Sequence, residues 1–109
     1  MSKVVVHNNI AYLSGQFAAE EHILSDAATQ TDSTLKVIEN LLSDAGSDKS
    51  QIISATIYLK DINSDFDSMN KVWDMWLPEN AAPARATVEA LLFKPEILVE
   101  ISVIAALKT

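Results

Sequence analysis

The chain has 109 residues, 49% hydrophobic and 21% charged, with a formal net charge of -7 and no cysteine. That length fits a single domain over residues 1–109, and the composition argues against disorder, disulfides and thiolate metal sites. An acidic surface repels phosphate backbones, so no nucleic-acid partner is expected; two glycines in all leave no clustered phosphate loop.

No apolar run approaches the roughly 20 residues of a membrane span, so no membrane association is expected. Met1-Ser2-Lys3-Val4-Val5-Val6 lacks the apolar stretch of a secretory signal, and the expected location is cytoplasmic. Only His7 and His22 remain as imidazole ligands, so neither a metal nor a cofactor is expected. A domain of this size buries roughly 60 to 70% of its surface, and association with other copies would bury more.

Lys3 to His7 is a short β-rich run. Asn8-Asn9 tolerates positive φ and predicts a tight hairpin turn, with a return strand from Ile10 to Ser14 closed by Gly15. Gln16 to Ser25 is polar and weakly patterned, which predicts a loop. Ser25 is a good N-cap. From Asp26, apolar or small residues at Ala27, Thr31, Thr34, Leu35, Ile38, Leu41, Leu42 and Ala45 trace one helical stripe, and Gly46 suits its end. Ile53, Ala55, Ile57 and Leu59 alternate with polar neighbours, the period of a strand with one buried face. Ser64 with Asp67 resembles a capping box, and Phe66, Met69, Val72, Trp73, Trp76 and Leu77 form a second helical stripe stopped by Pro78. A strand is expected from Ala84 to Phe93, a turn at Lys94-Pro95-Glu96, and a last strand from Ile97 to Leu107. The order β-β-α-β-α-β-β predicts an α+β fold with both helices on one face of a sheet.

Few residues stand out as carriers of chemistry. Arg85 is the only arginine; its planar fork of donors fits a carboxylate in two parallel bonds. On residue type alone, a surface ion pair with one of the 15 acids is the simpler reading. Glu100 interrupts the apolar run Leu98 to Ile104. It either faces solvent or sits in a pocket, where a desolvated carboxylate suits general acid–base work. Asn70 lies on the stripe of the second helix, one turn from Phe66 and Trp73, and its amide must find partners in the fold or in a ligand. Trp73, Trp76 and Met69 read as packing. Ser14 lacks the Gly-x-Ser-x-Gly elbow of a serine hydrolase.

Several segments together resemble the RidA/YjgF family of small trimeric proteins. They are Leu13-Ser14-Gly15-Gln16, Thr56 to Asp61, Met69-Asn70-Lys71-Val72-Trp73, Pro83 to Ala90, and Val99-Glu100-Ile101 through Ala105. They occur in family order and cover nearly the whole chain; the Asn70–Trp76 region is more similar to a YoaB-like branch. The resemblance implies a chorismate-mutase-like fold, a homotrimer with pockets between subunits, and hydrolytic deamination of reactive 2-imino or enamine acids to 2-oxo acids and ammonia. It implies that Arg85 clamps the substrate carboxylate and that Glu100 positions or activates water. Asn70 and Gly15 match pocket-lining positions, and Thr87 stands where many members have cysteine. Ahead of the first strand, Met1-Ser2-Lys3 does not carry the Tyr-Ser-x-Ala-like segment of family deaminases, and Phe17 to Ser25 is short. The competing reading is a non-catalytic trimer that binds small carboxylates as a sensor or chaperone. A ribonuclease fits the acidic charge and the missing histidine pair poorly.

A spacing argument bears on how the site is built. If Lys94-Pro95-Glu96 turns a hairpin, Glu100 lies opposite Ala90. Arg85 is then about 17 Å further along the strand. Arg85 and Glu100 would have to come from neighbouring copies to serve one substrate.

Overall fold

Two helices lie on one face of a five-stranded sheet in the computed structural model, which describes all 109 residues. Strands β1 (Val4–His7) and β2 (Ile10–Leu13) form the expected hairpin. Its turn residues Asn8 and Asn9 have φ of 51° and 64°, both positive as a two-residue turn between twisted strands demands. The loop that follows holds one short 3-10 turn at Glu20–His22.

Helix α1 (Ala27–Ala45) buries the predicted stripe, with Leu35, Ile38 and Leu42 at most 1% exposed. Its N-cap is Asp26, not Ser25: the carboxylate accepts the Thr29 N–H at 2.9 Å. A charged acceptor complements the helix dipole better than a hydroxyl. Gly46 ends the helix in the left-handed region at φ 88°. Helix α2 (Ile62–Trp76), by contrast, starts earlier than the Ser64–Asp67 pair suggests. Asp61 is the cap, and its carboxylate accepts both the N–H and the hydroxyl of Ser64 at 3.0 Å. Glu89 accepts the Ile62 N–H at 3.1 Å, fixing the start of α2 to the end of strand β4.

Strands β3 (Ile52–Leu59), β4 (Ala84–Glu89) and β5 (Val99–Ala106) complete a sheet of order β1-β2-β5-β3-β4. The expected last hairpin does not form. β3 lies between β4 and β5, parallel to the first and antiparallel to the second. β4 ends at Glu89, and residues 90–98 cross the end of β3, where Ala90 N donates to Leu59 O and Lys60 N donates to Leu98 O. The physical reason lies in α2. A strand–helix–strand crossover buries the apolar stripe of α2 only if β4 returns parallel to β3. Strand β5 then takes the middle of the sheet, with Val99, Ile101, Val103 and Ala105 at most 1% exposed.

The crossing loop is held by a residue the stripe analysis passes over. Gln30 is fully buried in α1. Its side-chain nitrogen reaches the carbonyls of Ile23, Ser25 and Glu96 at 2.9–3.0 Å, and its oxygen accepts the Leu98 N–H at 2.9 Å. One amide thus ties the loop after β2 and the loop before β5 to the helix. Such buried carbonyls and N–H groups would otherwise lack partners.

Strand alternation splits the sheet into two faces. Ala55, Ile57 and Leu59 of β3 pack under the helices, and their paired residues Arg85, Thr87 and Glu89 share that face. The opposite face carries Glu100, Ser102 and Ile104 of β5, Thr56 and Tyr58 of β3, Tyr12 of β2 and Val5 of β1. Both helices lie elsewhere, so this second face is open. Val5, Tyr12 and Val88 on it are 53%, 43% and 42% exposed. No helix is long and apolar enough to cross a membrane.

Candidate functional site

Arg85 sits near the start of β4 under α2, half-buried. Its Nη1 donates to the Asn70 side-chain oxygen at 2.6 Å. The guanidinium carbon lies 5.7 Å from the centroid of the Phe66 ring and 5.8 Å from that of Trp73. Phe66, Asn70 and Trp73 are spaced by four and three residues, so one face of α2 presents all three. The aromatic faces attract the cation, and the amide fixes one edge of the fork. The chain forms three ion pairs, at Asp32–Lys36, Glu39–Lys49 and Asp48–Lys108. Arg85 takes part in none of them. The surface ion pair that residue type favours is therefore not made, and the remaining guanidinium N–H groups stay free for an anion.

Thr87 lies two residues along the same strand and on the same face. Its hydroxyl oxygen is buried without a hydrogen-bond partner. A buried hydroxyl in that state costs about 1 to 3 kcal/mol. Sequence reasoning reached Arg85, Asn70 and Thr87. It placed Phe66 and Trp73 in the core alone, although their spacing around Asn70 was the available signal.

Glu100 belongs to a second cluster. Gln16 and Ile101 exchange backbone hydrogen bonds of 2.8 and 2.9 Å, which draws the Ser14–Phe17 segment alongside β5. Gly15 then comes so close to Glu100 that a Cβ there would collide with the carboxylate and lie 2.8 Å from its Cδ. Only glycine admits the carboxylate in this position. Glu100 is half-buried, and its carboxylate makes no ion pair. A hollow of about 340 Å³ beside the cluster is bounded in part by Lys3, Gly15, Gln16 and Phe17. The Ser14 hydroxyl is committed to the Lys3 carbonyl at 3.3 Å.

Within one chain the two clusters do not meet. Arg85 pairs with Ala55 and Glu100 with Tyr58, so they stand two strands across and three residues along, about 14 Å between Cα atoms. They also lie on opposite faces of the sheet. Glu100 pairs with Tyr58, so the expected hairpin opposite Ala90 does not form; were the two groups to serve one substrate, they would still have to come from different copies, because the sheet itself separates them. His22 is engaged with the Ser33 hydroxyl at 3.1 Å. No group of three or more histidine, aspartate or glutamate side chains is placed to hold a metal ion.

Known proteins resemble the chain along nearly its whole length. The family model described as Endoribonuclease L-PSP matches residues 1–107. The chain is 47% identical over 105 residues to the RutC family protein YoaB of Escherichia coli K12, covering 96% of this chain and 89% of that one. It is 35% identical over 102 residues to a protein of Acinetobacter baylyi named 3-aminoacrylate deaminase RutC, covering 90% and 79%. Among solved structures, a YjgF-family protein from Neisseria meningitidis superposes with a TM-score of 0.93 at 39% identity, covering 100% of this chain and 88% of that one.

Proposed function

The chain belongs to the Endoribonuclease L-PSP family, the RidA/YjgF group, and on that premise we propose that it hydrolyses 2-imino or enamine acids to 2-oxo acids and ammonia at a site between subunits of a homotrimer. The observation that carries this reading is the guanidinium of Arg85: stacked, hydrogen-bonded on one edge, and free of any acid of its own chain. It offers a fork for a substrate carboxylate. The open sheet face, with Val5, Tyr12 and Val88 uncovered, supports association of copies through that face. For Glu100 and Gly15 of one copy to meet Arg85, Asn70 and Thr87 of the next, that open face must receive the neighbour's edge strand β4, where Arg85 lies under α2.

In this site Arg85 and Thr87 hold the substrate, with Asn70 holding the arginine. Glu100 orients a water molecule against the C=N carbon and takes one of its protons. The C–O bond forms, and the C=N electrons move to nitrogen. The carboxyl proton passes to that nitrogen to give a neutral carbinolamine; Glu100 then takes the hydroxyl proton as the C=O bond closes and hands it to the nitrogen as the C–N bond breaks, releasing ammonia. Such imines hydrolyse unaided, so positioning and proton transfer suffice, the latter worth about 10² to 10⁴ in rate. The test is release of ammonia and 2-oxobutyrate from freshly generated 2-iminobutyrate. A full rate in Arg85→Ala refutes the arginine assignment.

The separation of the two clusters favours one alternative, a trimer that binds small carboxylates through Arg85 without turnover. Calorimetric titration with 2-oxobutyrate beside the deaminase assay separates the readings, since binding without turnover supports the alternative. A ribonuclease, despite the family description, is poorly served by a net charge of -7.

A further inference from the structure

Beside Glu100 lies an aromatic pair that neither the fold nor the proposed chemistry has used. Gln16 and Ile101 are a directly bonded pair in antiparallel strands. The next residue, Phe17, therefore flanks Glu100, and both turn away from the helices to the open face. The Phe93 ring packs on Phe17 with centroids 5.0 Å apart and the planes tilted by 58°. Phe93 comes from the loop that crosses the end of β3 and is still 64% exposed. The Lys94 ammonium lies 5.5 Å from the Phe93 ring centroid. Gln30 holds this loop and the loop after Phe17 to the same helix, so the pair is set on an anchored support. An exposed aromatic on an anchored loop, touching the neighbour of the candidate water-positioning carboxylate, suits an apolar ligand group.

We propose that Phe17 and Phe93 form the wall that receives the substrate side chain and so select 2-imino acids with branched aliphatic or aromatic side chains. The inference rests on the deaminase reading and extends it. With the substrate carboxylate on Arg85 of one copy and its imine carbon at Glu100 of the next, the third substituent on that carbon runs along the face beside Glu100. On the Phe17 side of Glu100 that face presents the two rings; the hydroxyls of Thr56, Tyr58 and Ser102 lie on the strands to its other side. A methyl substituent leaves the rings uncovered, whereas a leucine or phenylalanine side chain covers them. A single methylene in an apolar pocket is commonly worth about tenfold or more in discrimination.

The test uses 2-imino acids generated in place by an amino-acid oxidase from leucine, phenylalanine and alanine, with semicarbazide trapping the imine that remains. The wild-type chain is expected to favour the leucine- and phenylalanine-derived imines over the alanine-derived one by about tenfold or more in kcat/KM. Phe93→Ala removes an exposed ring and should lower kcat/KM on the two larger imines about tenfold more than on the alanine-derived imine. Phe17→Leu should act in the same sense. No preference in the wild type, or an equal loss on all three imines, overturns the wall. Failure to turn over any imine overturns the deaminase reading, and the wall then stands or falls on calorimetry with the matching 2-oxo acids. Equal affinity for 4-methyl-2-oxopentanoate and pyruvate overturns it there.

Discussion

Gly15→Ala separates placement of Glu100 from stability of the fold. The added methyl would overlap the carboxylate and stand 2.8 Å from Cδ. Carbon atoms in comfortable contact sit about 3.5 to 4.0 Å apart, so the carboxylate must retreat by about 1 Å. The group that gives way is the free end of a flexible side chain, so stability should change by no more than about 1 kcal/mol. Catalysis should respond far more, because a misplacement of about 1 Å costs on the order of 10²-fold when a reacting group depends on it. The measurements are thermal unfolding and the rate of ammonia release from 2-iminobutyrate, with Glu100→Gln alongside. Near wild-type Tm with a rate reduced about 10²-fold, close to that of Glu100→Gln, is the expected pattern. A wild-type rate in a normally folded Gly15→Ala chain would show that the position of this carboxylate does not matter to the reaction.

Other substitutions probe the remaining parts. Arg85→Lys keeps the charge but loses the planar fork, and should lower kcat/KM by about tenfold or more with little change in Tm. Thr87→Val removes the buried hydroxyl that lacks a partner, so Tm should rise, by about 1 kcal/mol of stability, while KM for the imino acid rises with it. Burial, with Asp61 and Asp26 nearby, pushes the Asp65 carboxyl above its ordinary value of 3.8. A raised value in the folded state means that stability falls as pH climbs through the interval above 3.8. Asp65→Asn should therefore melt higher than the wild type at about pH 7 and alongside it at about pH 3, where both side chains are neutral. Asp26 and Asp61 behave oppositely. Bonds from Thr29 and Ser64 hold their carboxyls low, so their stabilisation is complete above 3.8 and lost as pH falls through the lowered values.

The local elements were legible because their signals are local. Asn8-Asn9 turns the first hairpin, Gly46 ends α1, and the period-two pattern of Ala55, Ile57 and Leu59 marks β3, each from neighbours in the chain; Ile53 drops out of the expected buried set, 49% exposed, because the register shifts between Ile52 and Ser54. The caps were misplaced by a few residues because Ser25 and Asp26, or Asp61 and Ser64, offer rival acceptors. Only the three-dimensional path decides which acceptor meets the free N–H groups. The pairing of β4 was misread for a deeper reason: Lys94-Pro95-Glu96 is a good local turn, but burying α2 demands a parallel return, and that requirement appears in no short window. Arg85 and Glu100 stood out by type and context. The aromatic stacking on Arg85, the Gly15–Glu100 approach and the Phe17–Phe93 pair were hidden because each joins segments distant in sequence.

The sheet that parts Arg85 from Glu100 gives each chain two unlike half-sites, one on either side. A ring of copies closed head to tail would then hold as many complete clefts as chains, each stitched from dissimilar halves. Two crippled variants, one without the guanidinium and one without the carboxylate, should accordingly rescue each other when unfolded and refolded as a mixture, because some clefts inherit both intact halves. Deleting both groups from the same chain abolishes any such rescue.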